Sequence, residues 1–406
     1  MPVLPYIYLG YMFIAIYFLT FFLILYTKNR KNIFKSPKLT KRYTLSVLIP
    51  AYNEEESIQP TIEAVMNSDY ELKEVIVIND GSTDKTVDKV KEMQKKYKIL
   101  KLLNKRNTGK ADSLNKGIAQ AKGELIAITD SDSFPQKDAI SKLIGFFDDE
   151  KVGAATPLIL VRNKNKFFEK LQAFEYAIIA LTRKLLSYVD AIYVTPGPLA
   201  IYRRKALQEV GGFDPNNITE DIELTWRLAA EGWKREMSLQ AKVTTIVPNK
   251  LKKWFKQRQR WSIGGTQTIW KYKNYFLRKG ITGYFILPFF VVSTFLGLLG
   301  LCIFLYLAIS RIINQYFFLK FTFVAETAVV SLDSLYFTPS VLNYLGVVLF
   351  IASMFYTFFL LYLIKEDTFR KKNFFTILFY LVAYLAIYPV ILVTAIFKLL
   401  RKDISW

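Results

Sequence analysis

Before Lys28 the chain carries no charged side chain, and residues 5–26 are almost all aliphatic or aromatic. As a helix rising ~1.5 Å per residue, that stretch covers the ~30 Å hydrocarbon core of a bilayer, where only helices and closed barrels satisfy their own backbone. A signal peptide would put basic residues before a shorter apolar stretch and a cleavage site after it; here the basic residues follow, so the segment reads as an anchor. Three more spans are expected, at 285–310, 341–364 and 374–400. The intervening 315–337 is apolar but carries Lys320, Glu326 and Asp333, and reads as an extramembrane loop. Lys28, Arg30, Lys31, Lys35, Lys38, Lys41 and Arg42 follow the first span with no acid among them, which places the middle of the chain in the cytoplasm of a plasma-membrane protein. The N-terminus is then outside, the loop 365–373 with Arg370, Lys371 and Lys372 inside, and the C-terminal tail outside.

Composition narrows the chemistry. The 406 residues are 52% hydrophobic with mean hydropathy +0.20, and 55 basic against 34 acidic residues give a formal charge of +21, which suits anionic partners such as headgroups or phosphorylated substrates. There is no histidine, so a Ser-His-Asp triad, a Cys-His pair and an imidazole-built zinc site are excluded. Any metal must be a hard cation on carboxylates, and any general base must be Asp, Glu, Lys or Tyr. The single cysteine, Cys302, lies in an apolar run and allows no disulfide framework.

From about 44 to 132 the pattern changes. Short β-rich runs at 45–50, 74–79, 99–103 and 125–129 alternate with helical patterns, which argues for an α/β class with a mainly parallel sheet. Ligands bind such sheets beyond the carboxyl ends of strands, so chemistry is expected at 51–56, 80–84 and 130–132. No Gly-x-Gly-x-x-Gly is present, and Gly109-Lys110-Ala111 lacks the flanks of a P-loop. Each acidic cluster has an ordinary structural explanation: Asn53 to Glu56 as a capping box, Asp80-Gly81-Ser82 as a turn, Asp130-Ser131-Asp132 as a turn and cap, Asp221 as decoration of a helix start. Their recurrence at the ends of elements in one domain argues for a shared site instead.

Two carboxylates two residues apart, Asp130 and Asp132, can offer one oxygen to Mg²⁺ or Mn²⁺ and another to a ribose or bridging water. A diphosphate leaving group then needs its charge neutralised, and the remaining requirement is a base for the nucleophile, which Asp221 can supply. Between 250 and 279 ten basic residues occur with no acid. On a helix Gln257, Arg260, Trp261 and Gly264 share a face suited to a pyrophosphate beside a sugar ring, with the remaining lysines expected against lipid. Phe167, Leu171, Phe174, Ile178, Leu181 and Leu185 form another helical stripe, which the flanking Lys166, Lys170, Arg183 and Lys184 place at the membrane interface.

Ser46-Val-Leu-Ile-Pro-Ala-Tyr-Asn-Glu54, Asn79-Asp-Gly-Ser-Thr-Asp84, the Asp130 and Asp132 pair, Thr219-Glu-Asp221 and Gln257-Arg-Gln-Arg-Trp261 stand in the order and rough spacing of the processive family 2 glycosyltransferases. From about 45 to 265 the chain resembles that family, which includes cellulose, chitin, hyaluronan and poly-N-acetylglucosamine synthases. The run from Thr219 to Leu228, with Gly197 to Arg204 and Gly264-Gly265, looks most like the poly-β-1,6-N-acetylglucosamine branch. The resemblance implies a nucleotide-sugar-binding domain of glycosyltransferase A type, flanked by transmembrane and interfacial helices. By it, Asp80 would contact the uracil, with Ala51, Tyr52 and Glu54 completing the nucleoside pocket. Lys110 would approach the UDP or donor sugar, Asp132 would hold the metal, and Asp130 would lie beside the ribose or metal. Asp221 would be the base, and Thr219, Glu220, Gln257, Arg260 and Trp261 would bind the acceptor end and the diphosphate.

The expected organisation is a transmembrane helix at 1–27, a cytoplasmic glycosyltransferase domain at 28–250, a basic interfacial helix at 251–280 and a C-terminal membrane region of three spans at 281–406. The expected activity is inverting, processive extension of a β-linked polysaccharide from a UDP-sugar, UDP-N-acetylglucosamine first among them. The partners are the UDP-sugar, the growing polysaccharide, the bilayer and a small accessory membrane subunit. Nucleic acid is not expected, because the acidic clusters repel phosphates unless a metal intervenes. The rival activity is transfer of one sugar to a polyprenyl or dolichyl phosphate carrier, against which the Gln-x-x-Arg-Trp segment counts.

Overall fold

The computed structural model describes residues 4–324, 341–364 and 374–401. The uncharged N-terminal run forms helix α1 (Leu4–Asn29). The first half of the sheet follows as β1 (Leu45–Ala51), α2 (Ile58–Met66), β2 (Glu74–Asp80), α3 (Thr86–Lys96), β3 (Leu100–Lys105), α4 (Lys110–Gln120) and β4 (Leu125–Ile128). These strands pair in parallel in the order β3-β2-β1-β4. Every residue of β1 and β2 is buried, because both faces of the sheet are covered. Val47 and Ile49 meet Ile58 and Ile62 of α2, whereas Leu48, Ile76 and Ile78 meet Leu114 and Ile118 of α4. Double burial is why these strands read as continuous apolar runs rather than as alternation. The order turns back between β1 and β4, which opens a crevice at their carboxyl ends.

The second half comprises β5 (Ser133–Pro135), α5 (Ser141–Ile144), β6 (Val152–Val161), α6 (Phe167–Ser187), β7 (Ala200–Arg203), α7 (Arg204–Glu209), α8 (Glu220–Ala230) and β8 (Lys234–Thr245). The whole sheet runs β3-β2-β1-β4-β7-β6-β8-β5. β6 and β8 pair in parallel, while β7 runs against β4 and β6, and β5 against β8. The mainly parallel α/β class expected from the sequence is the one observed.

Beyond the sheet lie α9 (Leu251–Lys271), α10 (Leu287–Val324), α11 (Val341–Ile364), α12 (Phe374–Phe379) and α13 (Leu385–Leu400). Among the described residues three helical stretches are long and apolar enough to cross a membrane, Pro5–Asn29, Thr282–Val324 and Gly346–Ile364. A fourth candidate is bent by 43° between Phe375–Val382 and Ala386–Leu400. A π-helical turn at Tyr380–Tyr384 and Pro389 inside α13 account for the break, since each interrupts the regular hydrogen-bond ladder. The last expected span is therefore a bent pair.

Two expectations need correction. The loop expected from 315 onward is helical through Val324, because α10 runs unbroken for 38 residues; residues 325–337, like the basic loop 365–373, lie outside the described residues. The stripe on α6 is interfacial at most at its start, where Phe167 and Lys166 are exposed; the rest turns inward. Leu171, Phe174, Leu181 and Leu185 share a core with Leu360, Leu361 and Tyr384 of the membrane helices. Arg183 and Lys184 are each 3% exposed, and they turn inward to carbonyls that the sheet leaves over: Arg183 Nη2 donates to Pro157 O at 3.4 Å and Lys184 Nζ to Met237 O at 2.8 Å. Helix α6 is a wall shared by the sheet and the membrane helices.

Candidate active site

The loop after β1 does not form a capping box. Helix α2 begins only at Ile58, after a Ser57 that makes no side-chain cap bond. Asn53 instead takes a left-handed φ of 54°, which asparagine tolerates, and its neighbours interlock with the loop after β2. Asn53 N donates to Ser82 Oγ at 3.0 Å, Thr83 N to Asn53 Oδ1 at 2.9 Å, Glu54 N to Thr86 Oγ1 at 2.8 Å and Glu55 N to Asp84 Oδ2 at 3.0 Å. The two loops thus form one rigid lip that carries Tyr52 and Glu54 to the crevice.

Asp80, at the end of β2, does the same for a third loop. Its carboxylate accepts from Thr108 N at 3.0 Å and Gly109 N at 2.9 Å, and pairs with Lys105. Gly109 has φ 94°, a region that favours glycine, and α4 starts directly after it with Lys110. Asp80 therefore lines the crevice and also fixes the segment that delivers Lys110.

Lys110 Nζ lies 2.6 Å from Asp130 Oδ1 and 3.1 Å from Glu220 Oε1. Burial opposes its charge, but Asp130, Glu220 and Asp221 outweigh burial and hold its pKa above the ordinary lysine value. Burial, then Asp130 and Glu54, push Asp132 up to about 6. Asp221 is pushed up to about 7, first by burial and then by the charge of Glu220.

The opposite rim comes from the start of α8 and from α9. A Cβ on Gly264 would collide with Thr219, so the two helices touch there. Asn217 Nδ2 donates to Thr268 Oγ1 at 3.0 Å, and Ile218 N to Gln267 Oε1 at 3.2 Å. That seat brings Arg260 to the same cavity, of about 820 Å³, as Ala51, Tyr52, Glu54, Asp80 and Lys110. Asp130, Asp132 and Glu220 line it too.

Four expected residues stand back from the cavity. Thr219 is buried at the α8 cap, its N donating to Asn217 Oδ1 at 2.9 Å. Asp221 sits one residue beyond the lining Glu220. Gln257 and Trp261 turn to Arg258 instead: Arg258 Nη1 donates to Gln257 Oε1 at 2.7 Å and its guanidinium lies 4.0 Å from the Trp261 ring. Arg258 is 1% exposed and pairs with Glu175 of α6. Lys271 also turns inward, to Asp214 and Glu223, each at 2.7 Å.

The sequence reading missed Asn107, Thr108 and Asn217, which line the cavity, and the Arg258–Glu175 pair. The first two follow β3, and the strand-end rule that singled out the other loops would have found them. Glu175 was visible as the acid in the apolar run Phe174-Glu175-Tyr176, a charge on a packed helix that needs a partner.

Among the described residues no group of three acidic or cysteine side chains closes a metal shell by itself. Asp130 and Asp132 nevertheless fit a small divalent ion. They offer hard oxygen donors, and burial first, then the charges of Asp130 and Glu54, raise Asp132, so a cation there would relieve both. Ions of the Mg²⁺ kind commonly take one or two carboxylates, the remaining positions going to substrate phosphates and water.

Residues 46–211 match the model of Glycosyl transferase family 2. The chain is 28% identical over 364 residues to the poly-β-1,6-N-acetyl-D-glucosamine synthase of Staphylococcus epidermidis, a match covering 88% of this chain and 84% of that one. It is 33% identical over 227 residues to the protein of the same name from Staphylococcus aureus strain COL, covering 55% of each. In fold it is similar to the mannosyltransferase PcManGT from Pyrobaculum calidifontis, solved in complex with GDP-Man and Mn²⁺, with TM-score 0.60 and 20% identity over 97% of this chain and 99% of that one.

The Gly264 contact yields a matched pair of substitutions. Nothing lies within 4 Å of a Cβ placed on Gly265, so Gly265→Ala should leave turnover within about twofold and stabilise the helix slightly. Gly264→Ala must push α9 from Thr219; overpacking of this kind costs ~1–3 kcal/mol, and turnover should fall at least tenfold. Equal turnover in the two variants would remove the contact from the argument.

Proposed function

From a chain that carries a family 2 glycosyltransferase domain, we propose a membrane-bound hexosyltransferase that extends a β-linked polysaccharide from UDP-N-acetylglucosamine, one sugar at a time without release. The observation that carries this reading is the meeting in one cavity of the acids at the ends of β2 and β4 with Arg260 of α9. A site for a nucleotide alone would not need that helix. The names of the Staphylococcus relatives supply the product class and favour polymer over transfer of one sugar to a lipid carrier.

In the proposed reaction Ala51, Tyr52 and Asp80 receive the nucleoside, with Glu54 at the lip. Asp130 and Asp132 would hold Mg²⁺ or Mn²⁺, which when bound neutralises charge on the departing diphosphate; PcManGT was solved in complex with Mn²⁺. Lys110 and Arg260 add positive charge at the diphosphate. Thr219, Glu220, Gln257 and Trp261 shape the acceptor side. Asp221 takes the proton of the acceptor hydroxyl as that oxygen bonds to the anomeric carbon; the anomeric bond to UDP breaks, and its electron pair leaves on the phosphate oxygen. The anomeric centre inverts. The sheet domain faces the cytoplasm, where UDP-sugars are made, in a multi-pass protein of the plasma membrane with room for a small accessory subunit.

Purified membranes given labelled UDP-N-acetylglucosamine and Mg²⁺ or Mn²⁺ should make long polymer. Excess chelator, or Asp132→Ala, should abolish it. A lipid-soluble monosaccharide as product would establish the rival activity, and undiminished polymer in chelator would refute the metal assignment.

The rate should also report the base. A base works only when ionised, so with Asp221 near 7 and the divalent ion saturating, which keeps Asp132 ionised, the rate should fall about tenfold per unit below pH 7 and flatten above it. Asp221→Asn should lose ~10²–10⁴-fold in rate while UDP affinity changes little. A flat profile from pH 6 to 8, or UDP binding lost with the rate, would assign the proton elsewhere.

Topology gives a third test. In a Cys302→Ser background, an impermeant thiol reagent outside intact cells should miss a cysteine placed at Lys35 or Lys273 and reach one at Lys320, whose side chain is exposed on the far part of α10. The opposite labelling pattern would put the site on the wrong side for cytoplasmic UDP-sugars.

A further inference from the structure

A buried polar chain links the bent membrane helix pair to α9. Tyr384 closes the π-helical turn between α12 and α13 and is fully buried. Its hydroxyl donates to Glu175 Oε2 at 2.8 Å and accepts from Trp254 Nε1 at 2.6 Å. Glu175, on α6, receives Arg258 of α9 through two nitrogens, Nε at 3.2 Å and Nη2. Arg258 Nε also donates to Tyr388 OH at 3.0 Å, and one residue further on Gln259 Nε2 donates to Thr394 Oγ1 of α13 at 2.9 Å. The same guanidinium is the group that holds Gln257 and lies on Trp261.

A buried carboxylate and guanidinium permit few alternative arrangements, because any position that breaks a bond leaves a charge unpaired in apolar surroundings. The side of α9 that carries Gln257 and Trp261, with Arg260 between them in sequence, is therefore placed by groups on α6 and on the last membrane helices. The nucleotide lips are placed by separate bonds at the ends of β1 and β2. On this basis, and resting on the glycosyltransferase reading, we propose that Tyr384 is a positioning residue for the acceptor: through Glu175 and Arg258 it sets Gln257 and Trp261, so that the bend in the last membrane helix pair controls acceptor engagement independently of donor binding. Substrate need never touch Tyr384.

Tyr384→Phe removes one hydroxyl from this chain and keeps the ring packing. It should leave UDP affinity and hydrolysis of UDP-N-acetylglucosamine in the absence of acceptor within about twofold of wild type, while the KM for a short oligosaccharide acceptor rises roughly tenfold. Glu175→Gln should act in the same direction more strongly, and Glu175→Asp, which keeps the charge, should recover part of the loss. Hydrogen exchange supplies a readout free of activity: amides of α9 should exchange faster in Tyr384→Phe, those of β1 and β2 unchanged. Unaltered acceptor KM, unaltered exchange in α9, or equal losses of donor and acceptor binding would each overturn the positioning role. Should wild type transfer no sugar from any UDP donor, the glycosyltransferase reading falls, and the exchange measurement still decides whether Tyr384 holds α9.

Discussion

The ion pair between Arg258 and Glu175 is the constraint on which the arrangement of this molecule most depends. Neither group is more than 5% exposed, and an ion taken out of water is tolerable only where partners replace its hydration. Here Tyr384, Tyr388 and Gln257 supply them. Removing one member of such a pair typically costs ~3–5 kcal/mol, a large share of the stability of any domain. The partners come from α6, α9 and the last apolar helices, so one cluster joins the sheet, the basic helix and the C-terminal apolar helices. The burial of α6 on both sides follows: its apolar stripe is the packing surface that keeps water from this pair.

The site shows the converse distribution of charge. A chain of formal charge +21 lines its cavity with Glu54, Asp80, Asp130, Asp132 and Glu220, opposed there by Lys110 and Arg260. Asp80 is taken up by Lys105 and two backbone amides, and Lys110 bridges Asp130 and Glu220. What remains around Asp132 and Glu54 is negative charge at close range, which a diphosphate alone would be repelled from. On the proposed reading, a dication entering with the nucleotide would relieve both charges together. The cavity would then take the donor and its cation as one unit, with Lys110 already paired to Asp130 and Glu220.

The strands and their acidic exits were legible in the sequence because a parallel strand covered on both faces has to be an apolar run and has to end in polar residues. That the site lies beyond the carboxyl ends of these strands followed from that pattern; the turn-back of strand order between β1 and β4 did not. What was not legible depends on partners far away in the chain. An apolar stripe such as Phe174 and Leu181 looks the same whether it meets lipid, a sheet or both, and Arg183 and Lys184 gave the wrong sign because sheet carbonyls at Pro157 and Met237 compete with headgroups for them. Lys320 suggested the end of a span, yet an α-helix continues past the bilayer surface as easily as it stops there. Asn53 to Glu56 fitted a capping box by composition, but the hydroxyls and carboxylate of the neighbouring loop, at Ser82, Asp84 and Thr86, offered those amides better partners.

The two acids at the start of α8 show how adjacent residues come to differ. Glu220 lines the cavity with a lysine amine 3.1 Å away. Asp221 follows it and is not among the lining residues; burial raises its pKa first and the charge of Glu220 raises it next, to about 7. Adjacent acids whose environments differ in this way fall into different roles. A carboxylate held beside a cation suits binding, whereas one that gains its proton near neutrality suits acceptance of a proton from a hydroxyl. If Asp221 is the base, as proposed, Glu220 is more than its neighbour. Its charge is the largest influence on Asp221 after burial, and Lys110, which pairs with Glu220 and also lowers the Asp221 pKa, links that tuning to Asp130 and hence to the donor side of the cavity.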